Sequence, residues 1–156
     1  MASIQKSAAG GVAAERQRAM ALLAKASRAE LQAAWDALGE KPAVQPVRGP
    51  ETGLVMVRGR IGGGGAPFNL GEATVSRASI RLEDGTVGHG QAFGTDGSKS
   101  RLAAIFDALF QQPARKAEVE GLLAAIATRL ADEDEAKARQ TAATRVDFFT
   151  MVRGED

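Results

Sequence analysis

Three prolines four residues apart, Pro42, Pro46 and Pro50, divide this chain into a part that can be helical and a part that cannot continue the same helix. Each lacks a backbone N–H and clashes with the preceding turn. On the N-terminal side, Met20, Leu23, Leu31, Trp35 and Leu38 recur at spacings of three, four or their sums, the apolar stripe of a helix over about residues 13–38. Ser27-Arg28-Ala29-Glu30 fits a capping box, so this stretch is either one helix or two that break near Ser27, with Gly39 placed to close it. The first dozen residues have no such periodicity and read as a flexible N-terminal arm, residues 1–12.

Beyond the prolines the period becomes two. Leu54-Val55-Met56-Val57 is a strand that leads through Arg58 and Arg60 into a glycine loop, Gly62, Gly63, Gly64 and Gly65. From Thr74 to Leu82 apolar and polar residues alternate, Glu83-Asp84-Gly85-Thr86 supplies a hairpin turn, and Val87 to Phe93 returns. Ser98 can cap a helix whose stripe is Leu102, Ile105, Phe106, Leu109 and Phe110, and Pro113 either ends it or opens the next. That next helix covers about residues 115–130, and the acidic run Asp132 to Glu135 continues it as a solvated helix or begins a linker. Helix, meander, helices is the order of an α+β fold, an antiparallel sheet with helices packed mainly on one face, in one domain over residues 13–144.

Composition removes several function classes. The chain has no cysteine and one histidine, which excludes a thiol nucleophile, a disulfide framework and thiolate or multi-histidine metal sites, so no metal site is expected. A formal net charge of +1 gives no global reason for binding nucleic acid or a membrane surface. No apolar run approaches the ~20 residues that span a bilayer, and no signal-peptide pattern opens the chain, so a cytoplasmic protein is expected.

The C-terminal segment, residues 145–156, is unusually apolar for a chain end. Val146, Asp147, Phe148, Phe149, Met151 and Arg153 form a candidate docking segment, which either packs on this domain's own sheet or reaches a partner chain. The run Arg145-Val146-Asp147-Phe148-Phe149-Thr150-Met151-Val152-Arg153-Gly154 resembles the C-terminal signature of the PhnG family of phosphonate catabolism. Pro50-Glu51-Thr52-Gly53-Leu54-Val55, Arg60, the glycine loop, Pro67-Phe68, Gly71-Glu72-Ala73-Thr74, Arg77, Arg81-Leu82, Asp84-Gly85 and Asp107-Ala108-Leu109 are similar to it in the same order. The resemblance covers about residues 16–155. It departs at Gly64 and at Gly94-Thr95-Asp96, where the family often has a threonine and an arginine respectively.

That resemblance implies a subunit of the carbon–phosphorus lyase core complex, a hetero-oligomer with PhnI, PhnH and PhnJ. With PhnI, PhnH and PhnL the subunit takes part in converting ATP and methylphosphonate to α-D-ribose 1-methylphosphonate 5-triphosphate and adenine. It implies no cofactor in this chain, ATP with Mg2+ being co-substrate of the complex, and no catalytic residue is assigned here. Both reactants are anionic, and arginines with glycine-loop amides are suited to such charge. Arg58, Arg60, Gly62, Gly63, Gly64, Gly65, Arg77, Arg81 and His89 are therefore the anion-binding candidates, weighed against solvated arginines, local salt bridges to Glu72, Glu83 or Asp84 and a structural histidine. Four guanidiniums share one surface only if their strands pair suitably. The competing reading is a stand-alone anion- or nucleotide-binding protein using the Arg58, Arg60 and glycine-loop cluster.

Overall fold

The computed structural model describes residues 2–60, 62 and 64–143. Its elements run α1 (Ala2–Lys25), α2 (Arg28–Ala37), β1 (Val44–Arg60), β2 (Pro67–Leu82), β3 (Val87–Phe93), α3 (Gly97–Phe110) and α4 (Pro113–Ala143). The capping box at Ser27 forms in full: the Ser27 hydroxyl accepts from the Glu30 N–H while the Glu30 carboxylate accepts from the Ser27 N–H, and this splits the first helical stretch in two. Helix α1 begins at Ala2, well before the apolar periodicity does. Helix α2 closes at an extended Leu38 rather than through Gly39, and Asp96, not Ser98, caps α3 by accepting from the Lys99 N–H. Pro113 opens α4, whose first turn needs no N–H from it, and the acidic run stays helical.

The three strands form an antiparallel meander in the order β1-β2-β3. Strand β1 is an edge strand that starts at Val44 and carries Pro46 and Pro50 beside its register shifts. An edge strand has outward N–H groups with no ladder partner to lose, which is why prolines that forbid a helix are compatible with this strand.

The alternation in β2 places Ser76, Ala78, Ile80 and Leu82 in the interior, and Gly88, Gly90 and Ala92 of β3 share that face. Helix α3 covers it with its small-residue side, Ser100, Ala104 and Ala108 lying over Gly88 and Gly90, while its apolar residues Leu102, Ile105, Phe106 and Leu109 join the core that α1, α2 and α4 complete with Leu23, Leu31, Val119, Leu123 and Ile126. Sheet and helix meet closely at two glycines. A Cβ on Gly88 or Gly90 would run into the α3 backbone, at Ala104 and Ala108 for the first and at Ser100 and Ala104 for the second.

Strand β3 pairs with β2 only over Val75 to Arg81, whereas β1 and β2 remain paired out to Arg60 and Pro67. The sheet is therefore three-stranded over the helices and continues beyond them as a two-stranded ribbon. No residue from 44 to 74 among those described is fully buried.

Candidate functional site

Because the helices cover one sheet face, the odd-numbered residues of β2 and β3 lie on an open face. There Arg48, Arg77, Ser79, His89 and Gln91, with Met20 from α1, line a groove of about 300 Å³. Ser79 stands opposite His89 in the register, and their side chains meet, Oγ to Nδ1, at 2.8 Å. The His89 N–H is turned outward from the sheet and donates to Asp107 Oδ2 at 2.8 Å. Such a pair, with the backbone bonds directed away from the partner strand, brings side chains closest across an antiparallel ladder.

Asp107 is completely buried on α3 and also accepts two bonds from the Arg16 guanidinium, 2.9 Å from Nε and 2.7 Å from Nη2. Hydrogen bonding to Asp107 raises the pKa of Arg16 above its ordinary value, outweighing the opposing effect of burial. One carboxylate thus ties α1, α3 and the outer edge of β3 together. Gln111 Nε2, at the C-terminal cap of α3, donates to the Val87 carbonyl on the same edge, so side chains of α3 and its cap satisfy β3 where another strand would otherwise add.

The basic candidates separate into two groups. Arg77 lies opposite Glu51 and approaches it at 3.5 Å, while Arg48 bonds the same carboxylate at 2.8 Å. Those contacts, the Arg48 hydrogen bond first, hold the Glu51 carboxyl below its usual range. Arg81 lies opposite Gln45 and Val87 on the same face. Arg58 and Arg60 instead sit at the far end of the ribbon, opposite Asn69 and Pro67. Arg58 is about 23 Å along β1 from Glu51 at roughly 3.3 Å per residue. The strands do pair, but their register keeps the four guanidiniums from forming one surface.

At the ribbon tip Arg60 Nη1 donates to the Gly65 carbonyl at 3.2 Å. Gly62 has φ 61°, a left-handed conformation that favours glycine, and Gly64 and Gly65 follow in the turn. Gly63 lies outside the described residues, as do Val146, Asp147, Phe148, Phe149, Met151 and Arg153.

Ser79 and His89 have the contact of a nucleophile and its base, but among the described residues no carboxylate orients the second ring nitrogen, and Asp107 engages the His89 backbone. No group of three or more potential metal ligands occurs among the described residues. No described helix is long and apolar enough to cross a membrane. Arg48, Glu51 and Gln91 were not apparent as site residues, since the prolines around Arg48 concealed its membership of a strand. Asp107 did leave a signal: an acid inside the apolar run Ile105-Phe106-Asp107-Ala108-Leu109 must find a buried partner.

The family described as phosphonate metabolism protein PhnG matches residues 14–154. The chain is 68% identical over 143 residues to the alpha-D-ribose 1-methylphosphonate 5-triphosphate synthase subunit PhnG of Rhizobium meliloti (strain 1021), covering 92% of each protein. With nearly its whole length matched in both comparisons, the chain belongs to the PhnG family of phosphonate metabolism proteins.

Proposed function

We propose that this chain is a cytoplasmic, non-catalytic subunit of α-D-ribose 1-methylphosphonate 5-triphosphate synthase, assembling with PhnI, PhnH and PhnJ and acting with PhnL. The observation that carries this reading is the 68% identity, over 92% of both chains, to a protein named as the PhnG subunit of that synthase. In the reaction, a phosphonate oxygen forms a bond to the ribose anomeric carbon of ATP, the bond from that carbon to adenine breaks, and adenine leaves. The geometry supports a supporting role. The open groove has arginines compensated by Glu51 and, among the described residues, a Ser79–His89 pair without an orienting acid, whereas the described helices leave one face of the sheet and the ribbon uncovered.

Any contribution to binding the triphosphate would come from Arg58, Arg60 and the glycine turn, where cations and small residues coincide. The test is co-expression of the full chain with PhnI, PhnH and PhnJ, with synthase activity measured after PhnL is added. A stable complex whose activity disappears when this chain is omitted is expected. Full activity without it, or failure of the full chain to join the complex, overturns the reading. Within the complex, an Arg60→Ala variant with unchanged ATP-analogue affinity would remove the ribbon tip from the anion site.

A further inference from the structure

Resting on that subunit reading, we infer that the β1–β2 ribbon is an inserted arm, gripped by a partner subunit through an apolar groove with carboxylates at its inner end. The ribbon comprises about residues 53–60 and 67–74, beyond the end of β3. It exposes apolar side chains on both faces. On one, Leu54 and Met56 are each 64% exposed; on the other, Val55, Val57 and Phe68 are 46%, 39% and 40% exposed, beside a 61% exposed Leu70 that fills the space over Gly59. Scattered surface hydrophobics are ordinary, but a contiguous set on both sides of a projecting hairpin is not. A hairpin of two strands is marginal in water unless a third strand or another surface covers it.

The charge pattern identifies the occupant's chemistry. Alternation puts Arg58 and Arg60 on the same face as Leu54 and Met56, so that face reads apolar, apolar, cation, cation toward the tip. Against them the ribbon carries one carboxylate, Glu72, opposite Met56. Among the described residues Arg58 has no ion pair, and the Arg60 guanidinium bonds only the Gly65 carbonyl. A second copy of this ribbon would oppose cation to cation in a parallel contact, while a groove with acidic residues at its depth would complement both halves of the sequence. The β3 edge offers no competing place for strand addition over Val87 to His89, because Asp107 and Gln111 occupy its outward groups. Among the described residues the ribbon has no such protection.

The experiment uses the other synthase subunits, co-expressed with the wild-type chain, with Leu54→Ser/Met56→Ser and with Arg58→Glu/Arg60→Glu. The apolar double variant is expected to lose affinity for the complex by at least about tenfold, and the charge reversal to weaken it similarly at low salt and less at high salt. Hydrogen exchange should show residues 53–60 and 67–74 unprotected in the isolated chain and protected in the complex. Thermal melting of each isolated variant should match wild type, because no fully buried residue is altered. Assembly of both variants at wild-type affinity overturns the arm while leaving the subunit reading intact. Failure of the wild-type chain to assemble overturns both. A dimer of the isolated chain that the same substitutions dissociate, or ribbon protection lost on truncation after Ala143, replaces the partner with a second copy or the chain's own end and also overturns it.

Discussion

Two glycines and one carboxylate control how closely the sheet meets its helices. Gly88 and Gly90 let β3 lie against the α3 backbone, so Gly90→Ala forces strand and helix apart instead of merely filling space. Overpacking of that kind costs about 1–3 kcal/mol, which for a domain of this size lowers the Tm by about 2–4 °C per kcal/mol. Differential scanning calorimetry of Gly90→Ala, with Gly121→Ala as an unobstructed control, checks this; equal melting points would show the contact is not close. Asp107 is the second fixed point. Asp107→Ala removes the acceptor for the half-buried Arg16 and for the His89 N–H together, and leaving those donors unpaired costs on the order of 3 kcal/mol. A urea midpoint that does not move would refute its structural role.

At the scale of elements, α2 is pinned to α4 by Glu30. That carboxylate accepts from Arg129 at 2.7 and 3.0 Å while completing the α2 capping box, and its pKa is lowered from 4.5 to about 2, the Arg129 hydrogen bond being the largest cause. A folded-state pKa below the unfolded one stabilises the protein fully above about pH 4.5 and progressively less as pH falls toward about 2. The difference in stability between pH 6 and pH 2.5 should therefore shrink in Glu30→Gln, measured by denaturant unfolding at both values. An identical pH dependence would show that Glu30 does not couple protons to folding.

For the whole molecule, the body and the ribbon are separable in energy. The buried core draws on α1 to α4, β2 and β3, and none of its fully buried members lies between residues 44 and 74. Replacing residues 54–74 by an Asn-Gly turn between Gly53 and Val75, which are paired, should leave a folded body melting within about 5 °C of the full chain. Loss of cooperative melting would show that the ribbon helps hold the body.

The local chemistry of this chain was legible because it depends on neighbours in sequence. The capping box at Ser27, the alternation from Ala78 to Leu82, the Asp84-Gly85 turn, the extent of β3 and the stripe of α3 all follow from spacing, and the ordered motifs carry the family. Where edges, close approaches and registers matter, neighbours say little. The prolines mark a break in helix, but only pairing shows that Pro46 and Pro50 ride an edge strand. Glycines beside His89 suggest freedom, but only the position of α3 shows that they are there for contact. Likewise the arginines are evident in sequence, while their division between a groove and a projecting tip was decided by where β3 ends and the ribbon goes on without it. Tertiary structure decides such matters because they are distances between segments far apart in the chain, set by which surfaces the core leaves uncovered.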